Sequence, residues 1–303
     1  MSKVNHLLLY LRSNCRIMQI SMSGATGFIG EMLKKRFIEM GWSVNVIDKQ
    51  SFELKDIEFL EKKIEGSNVV INLAGAPVMK RWNESYKNDI YHSRIDTTRK
   101  IATAIRNTSR KPFVFISGSA IGIYDSIETH TEESQCFADD FMGKVCRDWE
   151  HEALEATVST RVVIFRTGVV LGRNGGALKK MYTPFKLGLG GIIGSGKQAF
   201  SWIHVTDLIN AFLYTIENEN LSGIVNAVAP EPTTNYHFTK TFGKILIQPT
   251  ITMVPEFALK LIYGEGSRAL TAGQNVLPEK LLKAGFIFRF PTIEKALLDL
   301  YKR

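Results

Sequence analysis

Three glycines constrain this chain more than any other feature. Gly24, Gly27 and Gly30 stand in Gly24-Ala25-Thr26-Gly27-Phe28-Ile29-Gly30, directly after an apolar run over 17–23 and at the head of a helical pattern over 27–40 that closes on Gly41. In a strand that turns this way into a helix, Gly24 permits the tight turn, Gly27 lets a ligand approach the backbone, and Gly30 lets the helix lie close to the strand. The unpaired amides and positive dipole end of the helix then suit a diphosphate. The pattern therefore implies a dinucleotide, NAD or NADP. Asp48 follows the second apolar run at the offset where a carboxylate bonds an adenosine ribose, which favours NAD, whereas its neighbour Lys49 suits the extra phosphate of NADP. These residues leave the choice open.

Short apolar runs alternate with helical patterns through the first half. Strands are expected at 17–23, 43–47, 68–73, 112–117 and 161–166, and helices at 27–40, 56–65, 83–107 and 139–156. That alternation is the pattern of an α/β fold with a Rossmann-type, doubly wound parallel sheet. After Gly168 the texture changes, with glycines at 172, 175, 176, 188, 190, 191, 194 and 196, which reads as loop over a ligand cleft rather than sheet. Beyond Gln248, prolines at 249, 255, 278 and 291 separate short helices and suggest a smaller, interleaved C-terminal substrate domain. The expected division is an N-terminal extension over 1–17, a dinucleotide-binding domain over 18–168 completed by about 205–228, and a substrate side over 169–204 and 229–303.

At 303 residues and 45% hydrophobic content, the chain is long enough for one large domain, or a large and a small one. Its net charge of +8 raises nucleic acid as a partner, but Lys179, Lys180, Lys186 and Lys197 are scattered and no basic block occurs. The charge is better read as a field for an anionic cofactor or substrate. Cys15, Cys136 and Cys146 lack metal or disulfide spacing, so no metal site is expected and a reducing, cytoplasmic setting is. The run Leu7-Leu8-Leu9-Tyr10-Leu11 is too short to cross a bilayer, and no membrane partner is expected.

Three motifs in this order, GATGFIG at 24–30, NLAGAP at 72–77 and ISGSAIGIY at 116–124, resemble the extended branch of the short-chain dehydrogenase/reductase superfamily. The match narrows to its epimerase-like family, described as nucleoside-diphosphate-sugar epimerases, on SRIDTTR at 93–99, DFMGKVCRDWE at 140–150, RTGVVLGRNGGAL at 166–178, LGLGGIIGSGKQAFSWIHVTDL at 187–208 and APEPTTN at 229–235. The tail over 254–300 is similar to that family's own C-terminal domain of unknown function. The resemblance implies that Gly24, Thr26, Gly27, Phe28, Ile29 and Gly30 meet the pyrophosphate, Asp48 and Lys49 the adenosine ribose, and Leu73, Ala74 and Gly75 the nicotinamide ribose. It puts Ser117 and Ser119 beside the nicotinamide, Thr167, Gly168 and Val169 over its carboxamide, and Trp202, His204 and Asp207 at a hinge on the substrate side. A homodimer through the helices at 83–107 and 139–156 is the superfamily's habit, which these residues neither support nor exclude.

The sequence departs from the superfamily where catalysis is concerned. A Tyr four residues before a Lys normally supplies a phenolate base, and no such pair occurs in 140–150, where Met142 and Cys146 fall near those positions. Tyr124, with Ser117 and Ser119, is the remaining catalytic candidate, and Arg81, Trp82 and Arg94, with Trp202 and His204, are candidates for holding substrate. Two functions follow. One is an NAD(P)-dependent oxidoreductase or sugar-nucleotide epimerase acting on a small molecule; the alternative is a dinucleotide-responsive binding or regulatory protein that lacks the Tyr-Lys dyad.

Overall fold

A computed structural model describes residues 17–53 and 57–301. The expected extension over 1–17, with Cys15, lies outside these residues except for Ile17. In chain order the strands are β1 (Gln19–Ser23), β2 (Ser43–Ile47), β3 (Val69–Asn72), β4 (Val114–Ala120), β5 (Thr129–His130), β6 (Arg161–Thr167), β7 (Val169–Gly172), β8 (Gly191–Ile193), β9 (Trp202–His204), β10 (Gly223–Ala227), β11 (Thr252–Val254) and β12 (Asn275–Val276). Among the described residues, six of them form one sheet in the order β2-β1-β3-β4-β6-β10, every neighbouring pair parallel. The expected Rossmann-type sheet is therefore present.

The strands dictate that arrangement. All of β3 and positions 114–119 of β4 are buried, and strands without polar alternation need cover on both faces, which crossover helices provide in a parallel sheet. On one face, helices Phe28–Glu39 and Val205–Glu217 press Leu33, Phe37, Leu208 and Phe212 onto Met22, Ile71, Ile116 and Phe165. On the other, helices Glu58–Ile64, Glu84–Asn107 and Phe141–Leu154 bring Ile64, Ile101, Ile105 and Ala153 to Val70, Phe115 and Ile164. The chain runs from β1 out to β2 and returns to β3, so it leaves β1 and β3 toward opposite sides of the sheet, opening a crevice at the C-terminal edge. Open α/β sheets take ligands in that crevice.

A second apolar cluster joins helices Gly176–Lys186, Asn235–Leu246 and Ile293–Tyr301 through Leu178, Phe185, Phe238, Phe242, Leu297 and Leu300. Its segments interleave with the first: β12 pairs with β5, β9 with β7, and Trp82 bridges to Gly264. The glycine-rich stretch is a correction to the loop expected there, because it contains β7, β8, β9 and the Gly176–Lys186 helix. Its glycines mark close contacts: a Cβ on Gly172 or Gly175 would lie 2.4 or 2.1 Å from the Phe28 ring. Among the described residues no helix is long and apolar enough to cross a membrane.

Trp202 and His204 are corrections as well, since both are 1% exposed and neither faces a cleft. The Trp202 indole donates to Thr233 Oγ1, while His204 Nδ1 accepts from Thr206 N and caps the Val205–Glu217 helix. The His204 ring packs on Phe290, and its Nε2 stands 3.4 Å from Asp299 without a hydrogen bond. Asp207 accepts from the amides of Arg289 and Phe290, so this corner joins the sheet domain to the tail. One further residue is strained: Ile247, at the end of the Asn235–Leu246 helix, has φ 56° and is 88% exposed. A left-handed backbone costs a side chain with a Cβ about 1–2 kcal/mol.

Burial lowers the His204 pKa from 6.5 to about 4. The neutral ring therefore contributes stability that is complete above pH 6.5 and is lost as pH falls toward 4, by roughly 3 kcal/mol. Urea melts of the wild type and His204→Asn, which can keep the cap, should diverge in pH dependence across that window; parallel curves would rule out a buried neutral imidazole. Ile247→Asn, which places a residue tolerant of this backbone at the cap, should raise Tm by about 2–4 °C in a thermal melt.

Candidate functional site

The glycine loop takes its shape from backbone crowding. Gly24 has φ +71°, and a Cβ there would lie 2.5 Å from the Leu73 carbonyl carbon, while one on Gly30 would lie 2.1 Å from Gly24 O. The loops after β1 and β3 thus cross in direct contact. Gly27 differs: its amide donates to Gly24 O at 3.0 Å, and a Cβ would meet only that oxygen, at 3.3 Å. The protein leaves space at Gly27 that it does not leave at Gly24 or Gly30. Thr26 and Gly27 are exposed, and no side chain caps the helix that follows, in contrast to Asn83 and Asp140 at the heads of their helices. An open backbone cradle at a helix N-terminus fits a diphosphate.

Around it, Phe28 and Ile29 turn their side chains inward, the first to the glycine turn at 172–176 and the second to the core, leaving backbone to face a ligand. Asp48 Oδ1 accepts from Ser51 N and Oγ, and these bonds hold its carboxyl below the usual range. Lys49 beside it is exposed, 3.5 Å from Glu53. After β3, Asn72 organises Leu73, Ala74 and Gly75: its Oδ1 accepts from Ser23 Oγ and Ala74 N, and its Nδ2 donates to Thr98. Motif reading had the asparagine within NLAGAP but gave it no role. Arg94 lies beneath this loop, donating to the carbonyls of Ile90 and Ala76 under the Trp149 ring, with Gly75 against its guanidinium. It is a strut for the loop, which corrects its assignment to substrate.

The ends of β3, β4, β6 and β10 bring polar residues into two neighbouring rows, because Asn72 pairs with Ser117 and, two residues further along β4, Ser119 pairs with Arg166 and Arg166 with Asn226. Ser119 Oγ donates to Glu150 Oε1 at 2.6 Å. Arg166 holds the same carboxylate with two bonds of 2.8 and 2.7 Å and donates its third nitrogen to the Tyr124 hydroxyl. Glu150 and Arg166 are 6% and 4% exposed, so this charge pair is buried. Ser117 is fully buried, its hydroxyl 3.3 Å from Gly118 O. The sequence offered Glu150 and Arg166 only as ends of two motifs; what joins them is strand register.

Tyr124 is corrected by the same network. Its ring is fully buried, stacked on His130, and its hydroxyl faces Thr131 O and Asn226 Oδ1 while accepting from Arg166. Burial pushes its pKa up, so it is a structural phenol rather than an accessible base. Near the position expected for the superfamily's lysine, the Cys146 thiol is buried and its pKa is pushed up to about 12. Trp82 is also a wall residue, donating to Val78 O and meeting Phe141 edge-on, whereas Arg81 is exposed next to Gly264. Thr167, Gly168 and Val169 cross β9, with Gly168 and Val169 donating to Ala227 O and Ser201 O. A separate open cavity of about 470 Å³, lined by residues including Thr129, Lys197, Gln198 and Asn275, shares no residue with the glycine loop or the Ser119 network.

Residues 20–227 match the model of the NAD dependent epimerase/dehydratase family, and residues 254–300 that of a domain of unknown function. The chain is 38% identical over 297 residues to the chloroplastic SDR39U1 homolog of Arabidopsis thaliana, covering 92% of this chain and 86% of that protein. It is 37% identical to epimerase family protein SDR39U1 of Mus musculus, over 93% of this chain and 99% of that one. The crystal structure of human SDR39U1 isoform 2 with NADPH superposes with a TM-score of 0.87 at 31% identity, covering 94% of this chain and 100% of that one. With the open glycine cradle, the parallel sheet and the tail in place, the chain belongs to the NAD dependent epimerase/dehydratase family.

Proposed function

We propose that this protein binds NADP(H) in the glycine cradle and carries out carbonyl–alcohol chemistry on a small molecule, as an oxidoreductase or a sugar-nucleotide epimerase. The observation that carries the reading is the Gly27 opening, an uncapped helix N-terminus with room beside its backbone. NADP(H) is favoured over NAD(H) because the Asp48 carboxylate is committed to Ser51 while Lys49, held only by an exposed ion pair to Glu53, can turn to meet a phosphate at the exposed edge. The human relative solved with NADPH supports that choice. The two described cysteines, Cys136 and Cys146, are both free, which suits a reducing compartment such as the cytoplasm.

When bound, the nicotinamide supplies or accepts the hydride. The chain's own contribution is at Ser119. Its proton is donated to Glu150, so its lone pairs remain to accept from a substrate hydroxyl, and a proton taken up there can pass to the carboxylate. Arg166 keeps Glu150 oriented through a bidentate grip. This arrangement takes the place of the missing Tyr-Lys pair. Arg81 is the proposed contact for an anionic substrate group.

The lack of a Tyr-x-x-x-Lys pair in 140–150, where a buried thiol stands near the usual lysine position, favours a second reading, a dinucleotide-responsive binding or regulatory protein. Assaying purified protein with NADPH and a panel of carbonyls and nucleotide sugars separates the two. Turnover supports the first, and NADPH binding without turnover on any of them supports the second.

Gly27→Ala should lose at least about tenfold in NADPH affinity by calorimetric titration while a thermal melt shows it folded, since its methyl meets the protein only at Gly24 O, 3.3 Å away, and fills the cradle. Equal affinity in the variant would remove the cradle from the reading. With a substrate from the panel in hand, Ser119→Ala should lower kcat by about 100-fold. Its NADPH affinity should stay the same.

A further inference from the structure

Of the lysines that the sequence left scattered, Lys186 adjoins an exposed apolar surface, whereas Lys180 bonds Met79 O and Lys197 lines the open cavity. Leu187, Leu189, Ile247, Ile251, Met253 and Phe257 are each 66–88% exposed. They are contiguous through their neighbours. Gly188, between the two leucines, rests against Gln248 and Pro249, which lie between the two isoleucines. Thr252 donates to Gly190 O as β11 pairs with β8, and Phe257 stands in the first turn of the helix after β11. Single exposed apolar residues need no explanation, but a continuous group of large ones marks a contact surface.

The charge of the same segments is one-sided. Four lysines adjoin the apolar residues, against a single acid, Glu256: Lys186 precedes Leu187, Lys240 donates to Thr250 O beside Ile251, Lys244 O accepts from Ile247 N, and Lys260 shares the helix of Phe257. Among the described residues none of these four has a carboxylate within ion-pair distance. Ile247 adds a backbone argument. It keeps a branched apolar side chain in a left-handed conformation and in water, where Asn or Gly would cap the helix without strain.

We propose that this face docks on the surface of an anionic lipid bilayer. The aliphatic side chains enter the boundary between headgroups and acyl chains, and the lysines meet anionic headgroups. This replaces the expectation that no membrane is involved with peripheral, reversible binding. A second copy of the chain fits less well, because two-fold pairing would bring two lysine-rich faces together. A nucleic acid fits less well because the side chains between the lysines are mostly aliphatic, and bases stack on aromatic rings.

The test is co-sedimentation of the full chain with vesicles of phosphatidylcholine alone or mixed in equal parts with phosphatidylglycerol. The expected result is at least about tenfold stronger binding to the mixed vesicles at low salt, reversed by high salt. Ile247→Asn combined with Met253→Ser, and separately Lys186→Glu combined with Lys244→Glu, should each weaken binding about tenfold or more while thermal melts show both proteins folded. Several outcomes overturn the proposal: no binding to either vesicle, equal binding to both, uptake of an RNA or DNA oligomer without vesicle binding, or a concentration-dependent dimer abolished by the apolar variant while vesicles are ignored.

Discussion

The buried pair of Glu150 and Arg166 is the interaction on which the rest of the site depends. Two charges withdrawn from water carry a desolvation cost of several kcal/mol each, and mutual attraction repays it only when the remaining donors and acceptors are satisfied. Here they are: the carboxylate takes Ser119 and both faces of the guanidinium fork, and the third guanidinium nitrogen reaches Tyr124. Tyr124 in turn meets Asn226, whose amide donates to Glu132, and Glu132 accepts from Lys280 N. One charge pair thus connects a helix, three adjacent strands and the C-terminal tail, so the position of the Ser119 hydroxyl is coupled to the packing of both parts of the chain.

The glycine cradle is built on a different principle. Its shape follows from steric exclusion, since side chains at Gly24 and Gly30 would overlap backbone, and the β1 and β3 loops meet at the switch in strand order. The cradle therefore presents amides without requiring any ionisable group to be poised. Binding and chemistry are separable in such a design. A chain can retain the cradle while the residues at the reacting carbon change.

Much of this was legible in the residues. The alternation of apolar runs and helical patterns anticipated the strands at 43–47 and 161–166 almost to the residue: the second is covered on both faces and writes an uninterrupted apolar run, while the first, at the sheet edge, alternates apolar and polar residues. The glycine-rich stretch was misread because close packing on Phe28 and a tight turn put glycines inside regular structure, where they dilute any periodicity. Arg94, Trp202, His204 and Tyr124 were polar or aromatic residues within motifs. Nothing in a one-dimensional pattern distinguishes a side chain that lines a cleft from one that supports its wall.

The sequence by itself determined the sheet, the position of the cradle and the lack of a Tyr-x-x-x-Lys pair within 140–150, since each depends on residues within a short span or on the periodic burial of one strand or helix. Only the tertiary structure decided what stands at the reacting end. Ser119, Glu150, Arg166 and Asn226 lie far apart in the chain, and they meet because strand register aligns the ends of β4, β6 and β10 beneath one helix. The same holds for the basic apolar face: two segments separated by a strand and a helix were joined by the pairing of β8 with β11, a long-range contact that neither segment specifies alone.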